Sequence, residues 1–351
     1  MTPKPISLAL QGGGALGAYT WGALDRILED ERIEIKAISG SSAGAMCAVV
    51  LADGAHDGPE GARAKLRQFW EGVSAAGRSN PYRSTPLMAF LHSFQPAWLR
   101  QNYMALWADM ASRYASPYDF NPLNLNPLKD VLDELVDFER VRACDHIQLF
   151  IGATNVDTGR IRIFRNAELT ADHIMASACL PQLFQAITID GSPYWDGGFT
   201  GNPALFPLFA VEATRDIVIV QIHPLEREGV PRTAADISAR TTEITFNASL
   251  LSELRAIDFV ARLLDEQKLP PERYRKMLIH NVSEGQALTP LGAGADLNTD
   301  MSFFDDLFAA GRAAADHWLA THFDALGEHS TVDLAAMFRA APSPDDAQPL
   351  R

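Results

Sequence analysis

Apolar positions fall in short runs that break at glycine through the first two thirds of the chain, and at helical spacing after that. The run Ile6-Ser7-Leu8-Ala9-Leu10 reads as a buried strand that ends at Gln11 and opens into Gly12-Gly13-Gly14. Ile33–Ile38 alternates as a second strand and breaks into Gly40-Ser41-Ser42-Ala43-Gly44. The segment Ala43–Ala52 that follows has a helical composition, with Gly54 expected to end it. Gly61–Trp70 predicts a second helix, with Leu66, Phe69 and Trp70 on its apolar side, and Leu128–Phe138 a third. Ile147–Thr154 is a buried strand, and Gly159–Phe164 alternates as its partner across a turn at Asp157-Thr158-Gly159. Ala171–Cys179 predicts a short helix stopped by Pro181, and Ile187–Gly198 a hairpin with Asp190-Gly191 in its turn. Asp216–Ile222 is the last strand expected. Thr233–Leu264 and Met301–Phe323 carry helical spacing only.

Pro86–Tyr114 is dense in large apolar residues, among them Phe90, Trp98 and Trp107, at spacings near three and four. Two amphipathic helices broken at Pro96 fit that spacing. They could pack into the core or cap a site and hold an acyl chain. The expected organisation is a catalytic domain over residues 1–228 with this insertion at about 86–114, a helical extension over 229–340 packed on it, and a flexible tail over 341–351.

Charge narrows the partners. Of 351 residues, 30 are Lys or Arg and 44 are Asp or Glu, a formal net charge of −14. With no basic run present, nucleic acid is not an expected partner, and strong docking on anionic lipid is disfavoured. The three cysteines, Cys47, Cys144 and Cys179, lack metal-ligand spacing and read as small buried apolar residues, so neither a metal nor a cofactor is expected. No apolar run reaches the length of a membrane helix and no signal-peptide pattern opens the chain. The expectation is a soluble cytoplasmic protein.

The glycine turns carry the candidate chemistry. Gly40-Ser41-Ser42-Ala43-Gly44 fits G-x-S-x-G, which holds a serine hydroxyl out from a sharp strand-to-helix turn beside the positive end of the new helix. Gly12, Gly14 and Gly17 also satisfy the dinucleotide fingerprint G-x-G-x-x-G, but the second strand closes with Ser39-Gly40-Ser41 where an acidic residue should hold the ribose. The other reading of the first turn is a set of bare N–H groups for an oxygen gaining negative charge. A base for Ser42 has several candidates. His223 with Asp196 would complete a Ser–Asp–His order. Asp190 has a sufficient role in its turn, and the helical position of His173 fits a capping or surface role.

Gly12-Gly13-Gly14-Ala15-Leu16-Gly17, Gly40-Ser41-Ser42-Ala43-Gly44, Ala176-Ser177-Ala178-Cys179-Leu180-Pro181 and Asp196-Gly197-Gly198, in that order, resemble the signature of the patatin-like phospholipases. The resemblance covers residues 6 to about 225. It implies a three-layer α/β/α sandwich with a central, mainly parallel sheet, and calcium-independent hydrolysis of acyl esters. It further implies a Ser–Asp dyad, Ser42 and Asp196, with Gly12, Gly13 and Gly14 at the oxyanion hole and no histidine. On this scaffold a transacylase or a low-turnover lipid-binding protein are the alternatives, and transient contact with a lipid surface is compatible with it. Many members of that family have Arg or Lys two residues after the third glycine, where this chain has Leu16. That departure shifts the expected substrate from phosphate-bearing lipids toward neutral, short, lysolipid or polyester-like esters.

Overall fold

Strand β1, Lys4–Leu10, runs through the middle of an eight-stranded sheet and is buried from Ile6 onward. The computed structural model describes residues 2–78, 116–283 and 295–338. The apolar insertion at 86–114 and the tail at 341–351 lie outside them. The other strands are β2 Ile33–Gly40, β3 Gln148–Asn155, β4 Ile161–Arg165, β5 Ile187–Ile189, β6 Ser192–Asp196, β7 Asp216–Val220 and β8 Leu278–Val282. Their order is β5-β6-β3-β2-β1-β7-β8, with β4 paired to β3 beside this path. The contacts from β3 through β2, β1 and β7 to β8 are parallel, and the β4, β5 and β6 pairings are antiparallel.

Alternation along the central strands builds two cores, one per face. Leu8, Leu10, Ile38 and Val220 pack with the helices Gly17–Leu28, Ala43–Gly54, Gly58–Arg78 and Met301–His322. Ala9, Ala37, Ile217, Ile219 and Ile279 face the other way, onto Leu250, Leu254 and Ile257 of the helix Ala234–Asp265. The result is the three-layer α/β/α sandwich, with the helical C-terminal segments contributing to both outer layers. Among the described residues no helix is long and apolar enough to cross a membrane. Cys47, Cys144 and Cys179 are buried free thiols.

The helix Ala43–Gly54 ends at Gly54, as the sequence predicts, and a Cβ there would lie 2.6 Å from the Ala62 Cα of the next helix. The local expectations differ from the structure in three other places. The helix expected at Gly61–Trp70 spans Gly58–Arg78, and the one expected at Leu128–Phe138 ends at Leu135, before a separate short helix at Phe138–Ala143. The region expected to lack strands supplies β8, which pairs with β7 over its whole length. Its polar residues His280 and Asn281 hid the strand, and both find partners inside the fold. His280 Nε2 lies 3.0 Å from Asp216 Oδ1, and Asn281 Nδ2 donates to Gln221 Oε1 at 2.7 Å.

Candidate active site

Register brings four chain segments to one edge of the sheet. Leu10 stands opposite both Gly40 and Val220, Gly40 opposite Ile151, and Ala153 opposite Asp196. The turns after β1, β2, β6 and β7 therefore meet at the carboxyl ends of the parallel strands, where α/β sheets open a crevice.

Ser42 caps the helix Ala43–Gly54 with φ 54° and ψ −124°, a left-handed conformation that costs a non-glycine residue about 1–3 kcal/mol. Its surroundings impose that geometry. The Ser42 N–H donates to the carbonyl of Ser177 at 3.1 Å and to its Oγ at 3.0 Å, while Ser177 Oγ donates to the Gly152 carbonyl at 2.6 Å. Gly44 must lack a side chain, because a Cβ there would lie 2.3 Å from the Leu10 carbonyl oxygen. Strand β1 passes directly behind the turn.

Asp196 closes β6 and is only 1% exposed. The Gly198 N–H donates to its Oδ1 at 2.7 Å, and the neighbouring Ser42 hydroxyl favours its ionised form. Burial pushes its pKa up from 3.8 to about 6, against the opposing effect of the Gly198 N–H and the Ser42 hydroxyl. A carboxylate so placed can take a proton from the serine near neutral pH, which an exposed aspartate does poorly. Its main chain is pinned as well, with its N–H on the Cys179 carbonyl at 2.8 Å and its carbonyl accepting from Thr154 Oγ1 at 2.7 Å.

The three glycines separate in role. Gly12 packs on the serine turn so closely that a Cβ would sit 2.6 Å from the Ser42 Cβ. Its N–H, however, donates to Asn202 Oδ1 at 2.7 Å, so this amide is spent on the scaffold and is not available as an oxyanion donor. Gly13 and Gly14 line the cavity with Ser42 and Asp196. Among the described residues no acceptor stands against either of their N–H groups. His223 also reaches the cavity, but its Nε2 lies 3.0 Å from the Gly12 carbonyl oxygen. A carbonyl only accepts, so that nitrogen carries a proton and is not a base aimed at Ser42. Burial holds the ring below the ordinary histidine pKa, in its neutral form. Asp190 occupies its hairpin turn with φ 50°, and His173 bonds Thr170, the residue capping its own short helix.

Sequence reasoning missed Ser177, Asn202 and Gln11, all buried polar residues around the two turns. Gln11 stood in plain view as a polar residue closing an apolar strand, and Asn202-Pro203 as a turn signal. What each side chain binds follows only from strands distant in sequence.

The cavity above this constellation has a volume of about 340 Å³. Its walls are mainly apolar, with Phe69, Trp70, Leu183, Phe184, Phe246 and Phe304 prominent. Two carboxylates, Asp196 and Asp296, line it, and no Lys or Arg does among the described residues.

Among solved structures, similarity extends to VipD from Legionella pneumophila, at 16% identity and a TM-score of 0.42, covering 92% of this chain and 67% of that one. No curated protein matches the chain. Residues 8–209 match the family described as patatin-like phospholipase, a span that takes in both glycine turns, Ser42 and the Asp-Gly-Gly turn. The chain belongs to the patatin-like phospholipase family.

Proposed function

We propose that this protein is a serine acyl-ester hydrolase working through an acyl-enzyme on Ser42, with Asp196 as its only side-chain base. Family membership supplies the general class, a lipid acyl hydrolase. The observation that carries the finer reading is the buried Asp196 carboxylate lining one apolar cavity with Ser42. Ser42 Oγ attacks the ester carbonyl carbon as its proton passes to Asp196, and the carbonyl π pair moves onto oxygen. The Gly13 and Gly14 N–H groups receive that charge. Collapse expels the alcohol, which takes the proton from Asp196, and leaves the acyl group on Ser42. Asp196 then deprotonates a water that cleaves the acyl-enzyme and restores the serine.

The substrate is read from the walls. Aromatic and aliphatic side chains suit an acyl chain, and two carboxylates with no neighbouring cation among the described residues disfavour an anionic alcohol portion. Esters with an uncharged or cationic alcohol portion fit best. Tyr118, Leu123 and Leu125 are exposed on the segment leading to Asn126–Leu128 at the cavity, which supports transient contact with a lipid surface. A fluorophosphonate probe tests the reading together with a panel of p-nitrophenyl, lysophospholipid and diacyl esters. Wild type is expected to be labelled and to hydrolyse part of the panel, and Ser42→Ala to do neither. Labelling that persists in Ser42→Ala would remove Ser42 from the reaction.

A further inference from the structure

The Gly12–Gly13 peptide has no side chain on either flank, and such a unit turns over easily because nothing hinders its φ and ψ. Yet this peptide carries the Gly13 N–H, one of the two donors that the hydrolase reading needs. In a trans peptide the carbonyl oxygen and the amide hydrogen point in opposite directions, so whatever grips the Gly12 oxygen also aims the Gly13 N–H. Two side chains grip it. His223 Nε2 lies 3.0 Å from that oxygen, and Asn202 Nδ2 donates to it at 3.3 Å.

His223 is itself locked from behind. Gln11 Oε1 accepts the N–H of Ile222 at 2.8 Å and of His223 at 2.9 Å. Gln11 Nε2 donates to Asn247 Oδ1 at 3.0 Å, and Asn247 Nδ2 donates onward to the carbonyls of Pro224 at 3.1 Å and His223 at 3.4 Å. The His223 carbonyl takes a further bond from Gln221 Nε2 at 2.7 Å. Gln11, Asn202, His223 and Asn247 are all buried. Asn247 sits on the helix Ala234–Asp265, beyond the span matched by the family.

We propose that His223 is a positioning residue, whose Nε2–H fixes the Gly12–Gly13 peptide so that the Gly13 amide faces the developing oxyanion, and that Asn247 holds it there. The inference rests on the acyl-transfer reading above. It turns the histidine that resembles a triad base into a clamp on the oxyanion loop. It also gives the C-terminal helix a task in the reaction, as the far anchor of that clamp.

The test compares His223→Phe, His223→Gln, Asn247→Leu and Asp196→Asn by steady-state kinetics on a short-chain p-nitrophenyl ester, with circular dichroism to establish folding. Phe keeps the bulk and removes the donor, while Gln carries an N–H at similar reach. His223→Phe is expected to lower kcat by about tenfold to a hundredfold with KM within about twofold, since the lost interaction exists only in the transition state. Inhibition by a trifluoromethyl ketone, which presents the tetrahedral oxyanion, should weaken by a similar factor. His223→Gln should recover most of kcat, and Asn247→Leu should lower kcat in the same sense as Phe. Wild-type kcat in His223→Phe would overturn the proposal. So would a Gln variant as inactive as the Phe variant, which would make the imidazole a base. Should His223→Phe fail to fold, Asn247→Leu with an unchanged kcat overturns it. Substantial activity in Asp196→Asn sinks the dyad reading instead, and shows as a separate result.

Discussion

Replacing Asp196 with Asn should make the protein more stable and nearly inactive at once. The side chain is 1% exposed, and burial moves its pKa from 3.8 to about 6. Each tenfold change in proton affinity corresponds to about 1.4 kcal/mol, so holding the ionised carboxylate costs the fold about 3 kcal/mol. The sign follows from the direction of the displacement. Below pH 3.8 the carboxyl is protonated in folded and unfolded chains alike, and nothing is lost. As pH rises toward 6 the unfolded chain releases its proton first, and the penalty grows until the folded group ionises too. Above that it is constant. Asn is neutral throughout and still accepts the Gly198 N–H, so Asp196→Asn should gain stability only on the high side of this window. A rise in Tm of about 3–6 °C at neutral pH is expected, vanishing in acid. On the same samples kcat/KM should fall by about 10²–10⁴-fold through loss of the base. The wild-type pH–rate profile should rise through about pH 6 as Asp196 ionises. Thermal melts across pH and ester hydrolysis measure both effects. Equal stability of the two proteins at every pH would refute the claim that Asp196 stores a desolvation penalty. A profile flat through pH 6 would refute its use as the base.

Two further predictions concern the walls of the site. Gly12→Ala places a methyl 2.6 Å from the Ser42 Cβ and 2.7 Å from the Ser41 carbonyl oxygen, both tied to backbone that cannot retreat. It should destabilise the fold by about 1–3 kcal/mol in urea titration and sharply reduce labelling of Ser42 by a fluorophosphonate. Asp296 lines the cavity from the short turn Ala295–Leu297, whose backbone touches Gly14, and burial raises its pKa. Asp296→Asn should raise kcat/KM for an anionic lysophospholipid relative to a neutral ester by about tenfold at low ionic strength, and less in high salt. A ratio unchanged by the substitution would remove Asp296 from substrate selection.

The sequence alone determined the elements whose signals are local. A strand broken by Gly12-Gly13-Gly14, a serine between Gly40 and Gly44, and an Asp-Gly-Gly turn after a hairpin can each be read within a dozen residues or so, because backbone sterics act over that range. Their order also carried the family, and with it the layered sheet. Tertiary structure decided what depends on partners distant in the chain. Strand β8 was illegible because His280 and Asn281 interrupt its apolar run, and contacts with Asp216, Thr331 and Gln221 make those side chains tolerable inside the sheet. The Gly12 amide looked as free as those of its neighbours until Asn202 came to it from 190 positions away. His223 followed a strand end, as a triad base would, and only the packing of Gly12 against it shows that its proton faces a carbonyl. A polar group's role depends on which atom it meets, and a hydrogen bond joins atoms about 3 Å apart whatever their separation along the chain.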